Sequence, residues 1–555
     1  MENRLVPAAR DIAAGYHTGN PVEFIRMSAA EDYIQQARGM AAGNSIINAI
    51  HLYGKAMREA PDIVAYKNEF IRYLQPKNLR IISGTLKTLM TECLADPATD
   101  WSRAGSAWQS LMLADPAFKP FPKLVKIKKY SAFAKKISSI EKTALFENPY
   151  FLYGIARTTV PNIAFERFLT FLRRYLLERR ETTSLPPALA YVLARYCHRT
   201  EYVFFATDEE KKILDSLQQT ERDQVLLACY RTIADANLVK QPSPSWIDLA
   251  KEQAAAGERI EQERRSIAPL TPIDDAISLL VQSQYEKYPY PAWDAAAPHV
   301  VSEQERAAAG KPGAQILNAG CGTGKEAIEL ALTYPDAQVL AVDLSTASLA
   351  YGQAKAREYG LKNIAFRQAD ILQIGKAGMT FDFIASSGVL HHMASPYDGW
   401  AALKSVLNPD GLMRVALYSK PARREINEAR KAIARKGYDA GDDSIRNFRQ
   451  NIQKLLKRRS WKNIAEFYDY YFLNECCDLL FHVQELQFTP LMIAEHLQKL
   501  GLSFEGFYLP AKTKMLYAKR FAHDPGQRDL NNWDKFEQKY PDTFRNMYVF
   551  WCKNA

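Results

Sequence analysis

The sequence lacks an uninterrupted apolar segment of the length, about 18 residues or more, that a membrane-spanning helix needs. Residues 1–10 also lack the apolar stretch of a secretory signal peptide. These absences argue against a membrane-spanning class. We therefore expect a cytoplasmic protein without a membrane partner.

Cysteine is scarce, with 7 in 555 residues. The number is odd and no two cysteines have C-x-x-C spacing, so we expect neither a disulfide framework nor a structural zinc site, and no metal. Hydrophobic residues make up 47% and charged residues 24%, as in ordinary globular proteins. Because single cores stop growing beyond about 250 to 300 residues, we expect two or three domains.

The first half of the chain has no sustained alternation of apolar and polar residues, and helical patterns follow one another between Pro and Gly breaks. This predicts an all-α domain at 1–270. Residues 46–61 resemble the second helix of a tetratricopeptide unit. A single unit is not an array, because repeats bury their faces against neighbours, so we predict at most a vestigial repeat.

The formal net charge of +10 is compatible with an acidic partner such as RNA, but charge alone speaks to encounter and not to chemistry. Lysines cluster at Lys119, Lys123, Lys126, Lys128, Lys129, Lys135 and Lys136. Interleaved with Phe121, Tyr130 and Phe133, the run is compatible with backbone contacts and base stacking. A solvated helix face is the commoner origin of such a run, and we favour it.

Residues 271–310 are predicted to hold a linker and an aromatic, proline-rich segment, QYEKYPYPAW at 284–293. The prolines predict an extended and stiff backbone. We predict that Tyr285, Tyr288, Tyr290 and Trp293 form one wall of a substrate pocket. The alternative is a segment that only pins the linker to the next domain.

An apolar run ends at residues 315–325, QILNAGCGTGK, in three glycines followed by a helical pattern. Gly320, Gly322 and Gly324 can adopt backbone angles closed to other residues and, without Cβ atoms, allow a ligand to approach the main chain. The dinucleotide fingerprint is longer, Gly-x-Gly-x-x-Gly, with pyrophosphate on the helix N-terminus. The shorter loop suits a smaller nucleotide-like ligand.

Strand and helix patterns alternate after this loop, which predicts a Rossmann-like parallel sheet within 311–420. We assign strands at 315–319, 338–342, 364–368, 381–386 and 412–418. Ligands of such sheets bind at the carboxyl ends of the strands. Asp343 ends the second strand, where an acid commonly binds ribose hydroxyls, and Asp370 follows the third.

These elements, with VLHH at 389–392 and the NPDG turn at 408–411, resemble class I S-adenosylmethionine-dependent methyltransferases. The resemblance implies S-adenosylmethionine as cofactor and a seven-stranded sheet with an antiparallel last strand. It resumes at 488–555, with a late helix at 488–501 and strands at 502–509 and 543–552. The cofactor-binding positions that it implies are Asn318, Gly320, Cys321, Gly322, Thr323, Gly324, Asp343, Leu344, Asp370, Ile371, Ser387, Gly388 and Leu390.

The wider chain is similar to bacterial proteins that join a helical or tetratricopeptide-like region to a methyltransferase. A narrower similarity is to proteusin-type peptide N-methyltransferases, which act on asparagine side chains. A basic insertion at 421–487, lying at the carboxyl edge of the sheet, is predicted to be a helical substrate cap.

If residues 474–487 are helical, Asp478, His482 and Glu485 share one face. Such a face next to the methyl donor orients a nucleophile or takes its proton, and a purely structural network is an equal alternative. We also predict catalytic roles for His391 and Tyr418, and a substrate-binding role for His392.

The predicted reaction is methyl transfer to a side-chain nitrogen of a peptide or protein, with asparagine as one candidate. The alternatives are an RNA methyltransferase, a small-molecule methyltransferase, and a scaffold that binds the donor without turnover. An Asn-Pro-Pro-Tyr run after the fourth strand is absent, which argues against the amide and adenine enzymes built around that motif.

Overall fold

The computed structural model describes residues 21–42, 45–75, 84–233, 238–293, 295–298, 301–452, 461–545 and 547–555. The segment at 1–10 and three basic residues of the predicted cap, Lys457, Arg458 and Arg459, lie outside these ranges. None of the helices within them is both long and apolar enough to cross a membrane.

The first half of the described chain is helical, as predicted. Its helices α1 to α13 are Pro21–Ala42, Ile46–Glu59, Val64–Leu74, Gly84–Ala95, Gly105–Ala114, Phe121–Val125, Tyr130–Ser138, Pro149–Arg157, Ile163–Glu178, Pro187–Arg199, Asp208–Leu214, Glu221–Leu227 and Pro244–Ser266. The tetratricopeptide-like stretch at 46–61 forms α2 and the turn after it. Whether it descends from a repeat stays a prediction.

The second half contains a seven-stranded sheet with the order β3-β2-β1-β4-β5-β7-β6. The strands are β1 Gln315–Ala319, β2 Gln338–Asp343, β3 Ile364–Gln368, β4 Phe381–Ser387, β5 Leu407–Tyr418, β6 Leu502–Phe507 and β7 Met547–Asn554. Strand β7 is antiparallel to both β5 and β6, and the other pairs are parallel. The predicted Rossmann-like sheet with an antiparallel last strand is confirmed.

The helices that follow the helical half are α14 Ala276–Lys287, α15 Glu303–Ala309, α16 Lys325–Thr333, α17 Thr346–Glu358, α18 Pro396–Ser405, α19 Arg424–Lys436, α20 Asp442–Ile452, α21 Leu473–Phe481, α22 Pro490–Leu500, α23 Ala511–Arg520 and α24 Leu530–Lys539. Several begin at a residue that satisfies their free N–H groups. Asp275 caps α14 and Thr489 caps α22.

Neighbouring residues of each strand enter different cores, because successive side chains point to opposite faces of a sheet. Ile316 packs with α15, α16 and α17 on one face. Leu317 packs with α18, α22 and α24 on the other. The sheet is therefore covered on both sides, and a ligand reaches it at the ends of its strands.

Three expectations about local structure were wrong. The predicted linker contains α14, which includes Tyr285, so the aromatic segment is extended only after Lys287. Strand β5 begins at Leu407, so the NPDG sequence at 408–411 lies within this strand and is not a turn before it. The register of β5 with β4 shifts there, between Phe381 and Phe383 of β4. The helix expected over 474–487 ends at Phe481, so Glu485 does not continue its face.

The cap and the helical half form one hydrophobic core. Ile426, Ile445 and Cys477 of the cap are buried in the same cluster as Phe168 and Leu193 of the helical half. The predicted separation into domains at 1–270 and 421–487 thus does not divide the core. The cap is attached to the helical half as much as to the sheet.

A buried ion pair crosses this shared core. Arg449 of α20 donates to the carboxylate of Glu166 at 2.6 Å and to the carbonyl oxygens of Tyr470 and Val203. The side chains of Arg449 and Glu166 are only 3% and 5% exposed. Removing one partner of such a pair leaves an uncompensated buried charge.

The lysine cluster covers the outside of α6 and α7, and its lysines are exposed. The aromatic residues between them are not available for base stacking. Phe121 and Phe133 are fully buried, and the hydroxyl of Tyr130 donates to Glu178. The arrangement is that of a solvated helix face.

Arg449→Met is expected to lower the free energy of unfolding by about 3 to 5 kcal/mol, because Glu166 loses its buried partner. Urea unfolding followed by circular dichroism measures this loss. Arg195→Met is the control, since its ion pair with Glu252 is exposed and worth less than about 1 kcal/mol. Equal losses in the two variants would contradict a role for burial, and adding Glu166→Gln to Arg449→Met is expected to recover stability.

Candidate active site

A cavity of about 340 Å³ lies at the carboxyl edge of the sheet. Its floor is the loop after β1 and the ends of β2, β3 and β4, and its outer wall comes from α14, the segment after it and α21. The lining residues that were predicted as cofactor sites are Gly320, Cys321, Gly322, Asp343, Leu344, Asp370, Ile371, Ser387 and Gly388. The strand order therefore brings together positions far apart in the sequence.

The three glycines of the loop after β1, the donor loop (residues 320–324), all have positive φ: +74° at Gly320, +52° at Gly322 and +82° at Gly324. A Cβ atom at Gly322 would lie 2.3 Å from the carbonyl oxygen of Tyr290. A Cβ atom at Gly320 would lie 2.4 Å from a methyl carbon of Val389. Glycine is needed here because protein packs against the loop, as well as for approach of a ligand.

Asp343 holds the donor loop from below. One of its carboxylate oxygens accepts the N–H of Gly322 at 2.8 Å, and the other accepts the N–H of Ser345 at 2.9 Å. Burial raises the pKa of this carboxyl group. Asp343 also lines the cavity, and a carboxylate has acceptor sites beyond these bonds, as binding of two hydroxyl groups requires.

Asp370 offers an acceptor that the protein leaves open. One carboxylate oxygen accepts the N–H of Leu372 at 2.9 Å. The other is buried without a hydrogen-bond partner at bonding distance among the described residues, although Ser278 is near enough to lower its pKa. Burial outweighs that effect and raises the pKa. An amino group of a ligand base fits this oxygen.

The sequence did not point to two further lining residues, Lys325 and Glu326 in the first turn of α16. Glu326 accepts hydrogen bonds from Ser387 at 2.9 Å and Arg414 at 2.8 Å, so its carboxylate is fixed. Lys325 brings a cation and Glu326 a carboxylate to the lining, and these groups suit the carboxylate and ammonium of an amino acid. The sequence feature that could have identified Lys325 and Glu326 was their position directly after the donor loop.

Four of the predicted cofactor-binding residues do not line the cavity and lie behind the residues that do. Asn318 is fully buried and donates to Glu326 at 2.8 Å. Thr323 turns toward the segment after α14, Gly324 is the residue before α16, and Leu390 is fully buried in the core. Whether any of them contacts a ligand stays a prediction.

The far end of the cavity, here called the acceptor end, is lined by Tyr285, Tyr290, His392, Tyr418 and Asp478. The Tyr285 hydroxyl donates to the Asp478 carboxylate at 2.6 Å and lies 3.1 Å from Nε2 of His482. Burial raises the pKa of Tyr285 well above its usual value, so the hydroxyl stays protonated. Two of the three cap residues named from the sequence are thus joined by a residue of α14.

Two buried histidines at the acceptor end have defined tautomers. Nδ1 of His392 lies 2.7 Å from the carbonyl oxygen of Gln484, so Nδ1 carries the hydrogen and Nε2 the lone pair. Nδ1 of His482 accepts the N–H of Gln484 at 3.0 Å, so its Nε2 carries the hydrogen. Burial lowers the pKa of both imidazoles to about 3, and both are neutral at physiological pH.

His392, Asp478 and His482 also place one potential metal ligand each within 4.8 Å of one another. Metal binding at both rings would require their lone pairs to converge in the ring planes. The rings are stacked instead, with centroids 3.7 Å apart and planes 20° apart, and Nε2 of His482 is protonated. This geometry suits a hydrogen-bonded cluster.

The remaining predicted residues lie away from the cavity lining. Glu485 binds the buried guanidiniums of Arg423 and Arg430, which against burial lower the pKa of Glu485 to about 2. His391 is fully buried beside Tyr418, with ring centroids 3.9 Å apart.

Two aromatic residues predicted as parts of the substrate pocket are directed elsewhere. Tyr288 donates to the carboxylate of Asp442, and Trp293 packs against the donor loop at Thr323. Of the four aromatic residues predicted to form a wall of the substrate pocket, Tyr285 and Tyr290 line the cavity. Tyr285 lies on α14, and Tyr290 lies in the segment after that helix.

Similarity to known proteins gives independent evidence on the class of this domain. Residues 310–468 match a family model described as a methyltransferase domain. The chain is 30% identical over 257 residues to an uncharacterised protein of Synechococcus sp., covering 42% of this chain and 60% of that one. It is 35% identical over 105 residues to trans-aconitate 2-methyltransferase of Deinococcus radiodurans, covering 19% of this chain and 38% of that one.

Among solved structures, the chain is similar to PKMT2 from Rickettsia typhi in complex with AdoHcy, with 20% identity, a TM-score of 0.38 and coverage of 48% of this chain and 55% of that one. The chain spans at most about 60% of the length of the curated relatives given above.

A glycine loop and two strand-end aspartates at the edge of a 3-2-1-4-5-7-6 sheet define a nucleoside-binding α/β domain. With the family match, the chain contains a class I S-adenosylmethionine-dependent methyltransferase domain. The cofactor that this domain indicates is S-adenosylmethionine. The unpartnered oxygen of Asp370, the carboxylate of Asp343 and the charged side chains of Lys325 and Glu326 fit its adenine, ribose and methionine groups.

Gly322→Ala is expected to weaken binding of S-adenosylhomocysteine at least about tenfold, or about 1.4 kcal/mol, because the new methyl group meets the Tyr290 carbonyl. Isothermal titration calorimetry measures the affinity. Gly378→Ala is the matched control, with φ of +65° and open space around its Cβ position. Unchanged affinity in Gly322→Ala, or an equal loss in the control, would contradict this account.

The buried histidines predict a loss of stability in mild acid. Their folded pKa lies below the usual 6.5, so the unfolded chain binds protons first as the pH falls from 6.5 toward 3. Each histidine is expected to remove about 1.4 kcal/mol per pH unit in that window. His482→Gln should flatten the dependence measured by urea unfolding between pH 6.5 and 5, and the exposed His51→Gln should not.

Proposed function

We propose that the enzyme transfers the methyl group of S-adenosylmethionine to a side-chain amine nitrogen of a peptide or protein. The observation that carries the proposal is the acceptor end of the cavity. There, three tyrosines, a neutral imidazole with a free lone pair and the Asp478 carboxylate surround the space beyond the donor site.

The charge at the acceptor end favours an acceptor that donates hydrogen bonds. Asp478 lines the cavity and keeps acceptor capacity beside its bond from Tyr285. The guanidiniums of Arg423 and Arg430 are held by Glu485 and do not line the cavity. A carboxylate acceptor, such as the one in the name of the Deinococcus relative, would meet the like charge of Asp478.

An amine fits this site better than a carboxamide. The lone pair of an amide nitrogen is delocalised, and the nitrogen needs a strong base before it attacks. The available imidazole, His392, has a pKa of about 3 and is a weak base. An amine needs only to enter with its lone pair free: its nitrogen forms the new C–N bond as the C–S bond of the sulfonium breaks, and the product leaves as a methylammonium that exchanges its proton with water. Asparagine therefore receives less support than a primary amine.

The residues have separable tasks. When bound, S-adenosylmethionine supplies an activated methyl group. Asp478 accepts a hydrogen bond from the amine and turns its lone pair toward the donor site, which is alignment of the kind that dominates such displacements. Nε2 of His392 is placed to accept a hydrogen bond from a second N–H. The rings of Tyr285, Tyr290 and Tyr418 exclude water.

A macromolecular acceptor is supported by the origin of these side chains. Asp478 lies on α21, whose Cys476, Cys477 and Leu480 are buried in the core of the helical half. The acceptor end is thus built on the part of the chain that is large enough to hold a peptide. RNA receives less support, because Phe121 and Phe133 of the lysine cluster are buried and Tyr130 is bonded to Glu178.

Asp478→Asn is expected to lower kcat for an amine acceptor by about a hundredfold, because it removes the charge that orients the nitrogen, an effect within the range attributed to positioning. Affinity for S-adenosylhomocysteine should stay within about twofold, since Asp478 lies beyond the donor positions. The measurement is transfer of labelled methyl to peptides, with product mapping by mass spectrometry. Asp439→Asn, an exposed cap position, is the control.

Paired peptides that differ only in lysine or asparagine at the test position separate the two acceptors. With lysine, the rate should rise with pH as the free amine increases, and His392→Gln should leave that rise in place. Label confined to asparagine, RNA or small metabolites would refute the proposal. Loss of all label in Asp343→Ala would confirm that turnover depends on this donor site.

A further inference from the structure

The donor loop is held from above by a short segment after α14, here called the strap (residues 290–293). The N–H of Thr323 donates to the carbonyl oxygen of Tyr290 at 3.0 Å, and its hydroxyl donates to that of Pro291 at 2.6 Å. The indole N–H of Trp293 donates to the same hydroxyl at 3.1 Å. The same indole N–H also lies 3.3 Å from the Thr323 carbonyl oxygen, so Thr323 is fixed to the strap by four hydrogen-bond contacts.

The strap is itself fixed by the helical half and the cap. The N–H of Ala292, in the middle of the strap, donates to the carboxyl of Glu475 at 3.0 Å. Glu475 lies in the first turn of α21 and is fully buried. Arg103, which precedes α5 of the helical half, donates to the same carboxyl oxygen at 3.1 Å.

Glu475 has little freedom to move. The residue before it, Asn474, donates its backbone N–H to the carboxylate of Glu201 at 2.7 Å. Asp469 lies 3.9 Å from Arg103 and is also close enough to Glu475 for a hydrogen bond between the two carboxyl groups. Burial raises the pKa of Glu475, and Arg103 opposes that rise. The carboxyl is thus held by elements of both the helical half and the cap.

We propose that Arg103 and Glu475 are positioning residues for the methyl donor, acting through Ala292 and the strap on Thr323. Hydrogen bonds on both sides of the Pro291–Ala292 peptide group join the guanidinium in the helical half, through Glu475, to the Thr323 hydroxyl of the donor loop. The helical half then contributes to donor binding as well as to the acceptor end. The proposal does not depend on which acceptor is methylated.

Glu475→Ala removes the acceptor for Ala292 and the partner of Arg103. Loss of one net hydrogen bond that orders the strap is expected to weaken binding of S-adenosylhomocysteine by about fivefold to tenfold. The amide hydrogen of Thr323 should also exchange faster in the free enzyme, because its bond to Tyr290 opens more often. Calorimetry and hydrogen exchange of the donor-loop peptide measure the two effects.

Two further variants separate positioning from general stability. Arg103→Met keeps Glu475 and removes its cation, and it should give a smaller loss of affinity in the same direction. Glu475→Gln keeps an acceptor for Ala292 and should recover most of the affinity. Arg195→Met breaks an exposed ion pair of the helical half that has no bond to the strap, and affinity should be unchanged.

The results of these measurements separate a positioning role of Arg103 and Glu475 from a purely structural one. Weaker donor binding and faster exchange at Thr323 in Glu475→Ala and Arg103→Met, with recovery in Glu475→Gln, support the proposal. If Glu475→Ala does not fold, Arg103→Met and Glu475→Gln carry the test. A lower melting temperature with unchanged affinity and unchanged exchange at Thr323 overturns it and leaves the pair a structural role.

Discussion

The contact between the Thr323 amide and the Tyr290 carbonyl is the constraint on which the donor site depends. It closes the loop from one side, while Asp343 holds the neighbouring amide of Gly322 from the other. Two adjacent N–H groups are thereby committed to the protein, and the loop is ordered before a ligand arrives. The same contact excludes a side chain at Gly322, because its Cβ atom would meet the Tyr290 oxygen.

Electrostatic balance governs the other end of the cavity. Burial disfavours charge, so the two stacked imidazoles are neutral. The guanidiniums of Arg423 and Arg430 are both directed to Glu485 and not to the cavity lining. Asp478 then presents a carboxylate to the cavity with one hydrogen bond from Tyr285. In a site of low polarity, a single fixed carboxylate is a strong determinant of which acceptor is held, and in which orientation.

The helical half is not a unit separate from the part of the chain that forms the cavity. It shares its core with the cap, and the buried pair of Arg449 and Glu166 crosses between them. Through α21 it holds Asp478 at the acceptor end, and through Glu475 it holds the strap. A region that reads in the sequence as a separate domain is thus packed into both ends of the cavity.

The sequence alone determined the features that are local in origin. The glycine loop, the strand ends at Asp343 and Asp370, and the sheet they imply follow from short-range pattern and spacing, because period and turn chemistry are properties of neighbouring residues. The lining position of Asp478 was also among the predicted sites. The charged pair at Lys325 and Glu326 lay beside a recognised motif and carried no periodic signal of its own.

Only the tertiary structure decided what approaches the sheet from elsewhere in the chain. Periodicity assigns a residue to a face but not to a neighbour, so Tyr288 and Tyr290 were indistinguishable until the strap was placed. Because helix α21 ends at Phe481, Glu485 lies beside Arg423 and Arg430, and His482 lies beside Tyr285. The contact of Tyr285 with His482 joins residues 197 positions apart, and such pairings are fixed by the packing of the shared core and not by local preference.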